Sequence, residues 1–169
     1  MISKRLSLFI AIAALTFGSI VLASALNLQQ AMNTMRVNFS VVSSLNTKSI
    51  ENPSSITTEE LQGAIAKIDA ISDLIETIVT MIPPTLSDVV PEQKAAFVTA
   101  FRDRIKALHL LFLTLKAECQ DLVNVSGAER NFSKVNRIVE AIKKCRDQSH
   151  DDFMWSTSTD GLHPEACVL

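Results

Sequence analysis

The feature that most constrains this chain is the return of apolar residues every three or four positions along four separate stretches. In the first stretch they step by four, three, four and three residues, which places them on one face of a helix. A helix with one apolar face must bury it, so the pattern predicts an all-α protein. The residues on the four faces are Leu28, Met32, Met35, Phe39 and Val42; Leu61, Ile65, Ile68, Ser72, Ile75, Val79 and Ile82; Phe97, Phe101, Ile105, Leu108, Phe112, Leu115 and Cys119; and Phe132, Val135, Val139, Ile142 and Phe153.

Helix-breaking segments separate these stretches. They read "NTKSIENPSSITT", "PPTLSDVVP" and "NVSGAE", and proline ends a helix because it lacks an N–H and clashes with the preceding turn. Thr57 with Glu60, and Ser126 with Glu129, have the spacing of capping boxes that open the second and fourth helices. The third helix is expected to begin near Glu92. Four helices joined by links of modest length predict an up-down-up-down four-helix bundle.

The first 25 residues differ from the rest of the chain. A short basic head, an apolar run and the small residues of "ASA" have the order of a secretory signal peptide cleaved after Ala25. The alternative is an uncleaved membrane anchor, because Leu6–Ala25 is about long enough to cross a bilayer. We therefore expect a signal peptide at 1–25, a bundle at 26–153, a flexible C-terminal tail at 154–169, and a location in the bacterial periplasm.

Composition and motifs exclude several functions. The net charge is −2, and the basic stripe with interleaved aromatics that marks nucleic-acid binding is absent from the sequence. No HExxH, Gly-rich phosphate loop or nucleophile–base–acid set occurs, so we expect no enzymatic activity. Export permits disulfides, but Cys119, Cys145 and Cys167 cannot all pair within one chain. A Cys119–Cys145 bridge is one possibility that the sequence leaves undecided.

Met32 and His150 form the candidate functional pair. In the predicted topology the start of the first helix and the end of the fourth lie at the same end of the bundle, so both side chains can project into one gap. A thioether and an imidazole are an axial pair for haem iron that raises its reduction potential. Arg146, one helical turn before His150, can pair with a propionate. The C-x-x-C-H motif of covalent haem attachment is absent.

Three simpler interpretations of these residues stay open. Met32 can be an ordinary core methionine, and Met35 is spaced equally well to face the core. His150 can be a surface residue that interacts with the negative end of the helix dipole. Periodicity and topology indicate that Met32 and His150 can meet, but they do not establish that the pair binds a metal.

Several segments in order resemble the soluble cytochrome b562 family of periplasmic haem b bundles. They are "LNLQQAMNTMRVNF", the diproline link "IPPTLSDVVP", the phenylalanine pair of "FVTAF", and "IKKCRDQSHDDF" with its Arg-x-x-x-His. The resemblance covers most of 26–153. It implies one non-covalent haem b bound through Met32 and His150, with Arg146 beside it.

The expected function is thus electron transfer in the periplasm, with haem iron as the metal and an unidentified periplasmic redox partner. No nucleic acid and no stable membrane insertion after signal cleavage are expected. The alternative is a cofactor-free periplasmic helical bundle that binds a partner protein or a small ligand. Longer segments than the family type separate Met32 from the prolines and Phe101 from His150, and a C-terminal tail is added.

Overall fold

The computed structural model describes residues 27–156, 158–163 and 167–168. The predicted signal peptide lies outside these residues. Within them the chain is all-helical and contains no strand, which confirms the predicted fold class at this level. No helix of the described part is long and apolar enough to cross a bilayer. The four long helices among the described residues are α1, Leu28–Glu51; α2, Thr58–Ile78; α3, Lys94–Val123; and α4, Ser133–His150.

Helices α1 and α2 each begin with a capping box. At α1 the Asn27 side chain accepts from the Gln30 N–H at 2.8 Å, and the Gln30 side chain accepts from the Asn27 N–H at 3.1 Å. At α2, Thr57 and Glu60 make the same reciprocal pair at 3.2 and 2.8 Å. Each pair satisfies two backbone donors that the helix leaves free. The predicted start of α2 is confirmed.

The predicted start of α4 is wrong. Ser126 makes no side-chain cap, and a short 3₁₀ turn, Gly127–Glu129, follows it. Helix α4 begins instead at Ser133, whose N–H donates to the Asn131 side chain at 2.9 Å. Arg130 follows this 3₁₀ turn, and its contacts with distant residues outweigh the capping box predicted for Ser126 and Glu129.

Arg130 joins two segments of the chain at this end of the molecule through three hydrogen bonds. Its Nε donates to the Leu122 carbonyl at 2.9 Å, its Nη1 to the Ile56 carbonyl at 2.7 Å, and its Nη2 to the Thr58 hydroxyl at 2.7 Å. A guanidinium has five donors and no acceptor, so it suits several carbonyls at once. The side chain thus ties the end of α3 to the start of α2.

The four helices share one core, to which each contributes its apolar face. Consecutive helices pack against each other, whereas α1 and α4 approach each other less closely. The end of α1 meets the start of α4, where the Ser49 hydroxyl donates to the Asn136 side chain at 2.7 Å. These contacts are consistent with a four-helix bundle. Ile82, predicted to face the core, is 63% exposed because α2 ends at Ile78.

The segment after α4 folds back on the helices. A π-helical turn, Asp151–Trp155, extends α4, and Cys145 in α4 forms a disulfide with Cys167. Cys119 is a buried free thiol, so the possible Cys119–Cys145 bridge is not the one formed. The C-terminal segment also contacts the start of α3, where the Gln93 side chain accepts from the Thr159 N–H at 3.2 Å. The prediction of a flexible tail at 154–169 does not anticipate these contacts.

Candidate ligand groove between α1 and α4

A groove of about 310 Å³ runs along the seam between α1 and α4. Its volume lies at the lower end of the range for small-molecule sites. Helices α1 and α4 form its sides and α3 its floor. The lining residues are Met32, Asn33, Met35, Arg36, Phe39, Leu108, Phe112, Ile142, Arg146 and His150. The groove exists because α1 and α4 pack less closely than the other neighbouring helices.

Met32 and His150 lie on the same groove. Both also line a second, smaller cavity of about 30 Å³ beside Phe153 and Met154. Met32 is partly buried in the first turns of α1, and His150 is the exposed last residue of α4. The structure therefore brings together the two residues that were singled out from the sequence.

The His150 ring has no hydrogen-bond partner among the described residues. It lies beside Trp155, with the two rings edge to face and their centroids 6.0 Å apart. A neutral imidazole can offer a ring nitrogen to a metal or accept a hydrogen bond. The ring is thus placed at the mouth of the groove with its nitrogens unengaged by the described part of the protein.

Met35 lines the same groove from a deeper position. It is 6% exposed and belongs to the core, whereas Met32 is only partly buried. The thioethers of both methionines are therefore candidates for a soft ligand from α1. The better burial of Met35 indicates a packing role, so Met32 remains the first candidate.

Aromatic and aliphatic side chains make the inner walls of the groove. Phe39 of α1 and Phe112 of α3 meet edge to face with ring centroids 5.7 Å apart. Leu108 and Ile142 complete this apolar surface, and all four residues are buried. Such a wall excludes water and favours a flat, apolar ligand.

Two arginines lie where the groove meets solvent. Arg36 and Arg146 line both the groove and an adjoining cavity of about 350 Å³ that contains Ser40, Ser43 and other hydroxyl residues. Arg146 pairs with the neighbouring Asp147 at 2.6 Å, and both side chains are exposed. Guanidinium groups bind carboxylates through parallel hydrogen bonds. The rim is therefore suited to a ligand with carboxylate groups.

Sequence reasoning identified Met32, Met35, His150 and Arg146 but missed Arg36. The spacing could have indicated Arg36, because it lies four residues after Met32 and thus on the same helix face. The contribution of α3 was not predictable from spacing, since periodicity tells which face is apolar but not which neighbour it meets.

Comparisons with protein-family models, with curated proteins and with solved structures find no match to this chain. The fold and groove thus define a class only: the described part of the chain is all-helical and has an amphipathic groove between α1 and α4. The resemblance to the cytochrome b562 family stays a prediction.

Proposed function

We propose that this protein is an up-down-up-down four-helix bundle that binds one non-covalent haem b in the groove and transfers single electrons. Met32 and His150 are the proposed iron ligands, with Arg36 and Arg146 at the propionates. The observation that carries the proposal is the placement of Met32 and His150 on the same two cavities.

The residues of the groove fit haem by their chemistry. A thioether and an unengaged imidazole are side chains that would bind haem iron, the inner wall is apolar, and two guanidinium groups lie at the rim. When bound, haem supplies a one-electron Fe(III)/Fe(II) couple. Met32 and His150 would both hold the iron, and the chemistry supplied there would be electron transfer rather than substrate chemistry.

The chain's own residues supply orientation and a low-dielectric setting. Phe39, Phe112 and Leu108 exclude water from one face of the site, which disfavours the more highly charged oxidised state. The thioether of Met32 acts in the same direction. Arg36 and Arg146 would bind the propionates at the rim, where carboxylates can pair with guanidinium groups.

Periplasmic location and a periplasmic redox partner belong to the same proposal. Their support is the sequence of the first 25 residues, which has the order of a cleaved signal peptide.

Haemin titration of the purified protein tests the proposal. We expect one equivalent to bind and to give a sharp Soret band, with narrow α and β bands after reduction.

His150→Ala should strongly weaken haem retention, and Met32→Ala should shift the ferric iron towards high spin while the helices persist. Met81→Ala and His109→Gln are matched controls, because neither residue lines the groove.

Two results would redirect the assignment. An unchanged spectrum in Met32→Ala together with a changed one in Met35→Ala would move the thioether ligand to Met35. A folded wild-type protein that takes up no haemin would end the electron-transfer proposal.

A cofactor-free binding bundle is the second candidate. The observation in its favour is the wide exposure of the rim, where His150 is exposed and Arg146 is already paired with Asp147. An amphipathic groove of this kind also accepts an apolar carboxylate other than haem. Binding of a fluorescent fatty acid by protein that rejects haemin would favour this candidate.

A further inference from the structure

A buried polar network lies directly after α4, outside the groove. The Asp152 side chain is 3% exposed and accepts from Arg104 Nη2 at 2.9 Å and from the His163 N–H at 3.0 Å. His163 Nδ1 lies 2.7 Å from the other carboxylate oxygen. The Arg104 side chain is itself only 6% exposed. Buried charges persist only when paired and hydrogen-bonded in this way.

This network holds the chain on both sides of His150. Arg104 Nη1 donates to the hydroxyl of Ser149, the residue before His150, at 3.5 Å. The same guanidinium lies 5.7 Å from the ring centroid of Phe153, three residues after His150. The Phe153 carbonyl accepts from Thr85 at 3.0 Å. The backbone that carries His150 is therefore anchored to α3 and to the link before it.

The C-terminal segment is attached to this network by a hydrogen bond and to α4 by a disulfide. The Arg104 guanidinium also donates to the His163 carbonyl. The disulfide between Cys145 and Cys167 joins α4 to the chain 22 residues later and thereby keeps His163 near Asp152. We use the name C-terminal clasp for Arg104, Asp152, His163 and this disulfide.

On the basis of the proposed haem site, we infer that the C-terminal clasp positions His150, and that haem binding depends on the disulfide being intact. Arg104 and Asp152 are positioning residues, since they act through the backbone of Ser149–Phe153 and not on the ligand. A dithiol reductant opens the clasp by giving two electrons and two protons to the Cys145–Cys167 bond. Two protein thiols form, and the dithiol becomes a disulfide.

The first arm of the test uses the protein without haem. Trp155 is the chain's single tryptophan, it is 73% exposed, and its ring contacts His150, so its fluorescence reports on the segment that the clasp holds. Treatment with dithiothreitol should lower the fluorescence anisotropy of Trp155 while the helical circular dichroism stays unchanged. Cys119→Ala is the control, because Cys119 is the free thiol outside the disulfide. Its Trp155 anisotropy should fall on reduction as in the wild type.

The second arm measures haem, and it uses the variant Cys145→Ser/Cys167→Ser because dithiothreitol would also reduce iron. Groups that orient metal-ligating side chains typically affect affinity by 10–100-fold, so the variant should bind haemin at least about tenfold more weakly than wild type. With protein in excess over haemin, part of the bound ferric haem should become high spin, whereas a variant that is only less stable would keep its bound haem low spin. Arg104→Gln should reproduce this spectrum, and Arg104→Lys should restore part of the low-spin form.

The two arms separate this inference from the proposed function. If wild-type protein binds no haemin, the proposed function fails and the Trp155 anisotropy still decides whether the clasp orders the His150 segment. Equal anisotropy before and after reduction overturns the inference. So does a double-serine variant that matches wild type in haem affinity and spin state.

Discussion

Substitution of Asp152 by Asn tests whether the clasp is a buried ion pair. The change keeps the size of the side chain but leaves Arg104, only 6% exposed, without its counter-charge. Removing one partner of a buried pair costs about 3–5 kcal/mol, because the other charge stays buried and uncompensated. With a urea dependence of about 2 kcal/mol per molar, this loss lowers the unfolding midpoint by roughly 1.5–2.5 M.

Urea unfolding followed by circular dichroism measures this loss, with Asp103→Asn as the matched control. Asp103 also pairs with a cation on α3, Lys106 at 3.3 Å, but the two side chains are 64% and 65% exposed. Such a surface pair contributes at most about 1 kcal/mol. If Asp152→Asn costs no more than Asp103→Asn, the buried pair does not hold the segment and the reasoning is refuted.

Three further predictions concern the caps and the free thiol. Thr57→Ala removes the side-chain acceptor at the start of α2 and should lower the free energy of unfolding by about 1 kcal/mol, measured in urea against Thr80→Ala, whose hydroxyl bonds only its own turn. The Lys48 ammonium and the Thr57 N–H lower the pKa of Glu60 below its model-peptide value of 4.5. The contribution of the ionised Glu60 to stability is therefore present above pH 4.5 and is lost as the pH falls through the lowered folded pKa. The urea midpoints of wild type and Glu60→Gln should converge as the pH is lowered through that range, and a difference that does not change with pH would contradict this. Burial raises the pKa of the Cys119 thiol to about 12, so a disulfide reagent at pH 8 should label native protein very slowly and denatured, unreduced protein at one thiol; rapid native labelling would contradict the buried position.

Local sequence patterns predicted the four helices because the physics behind them is local. The spacing of apolar residues selects the buried face, and the Thr57–Glu60 box satisfies its own backbone donors. The same reasoning failed at Ser126, where the contacts of Arg130 with α2 and α3 determine the path of the link. A cap contributes about 1 kcal/mol, and three hydrogen bonds from one charged group outweigh it.

Some features of the candidate site were also predictable from the sequence, and others depend on how the helices pack. Helix order and direction placed Met32 and His150 at one end of the molecule, and the structure finds both on one groove. The depth of Met35 and the floor made by Phe112 depend on how far α1 stands from α4. Packing of side chains between helices sets that distance, and no single helix contains the information.

The sequence alone determined that this chain is helical, where α2 begins and which helix faces are apolar, because these properties depend on residues within one or two turns. Only the tertiary structure decided that Cys145 pairs with Cys167, that Arg36 joins Arg146 at the groove, and that Asp152 meets Arg104. These contacts join residues far apart in sequence. They form only after the helices have packed and the loops between them have closed.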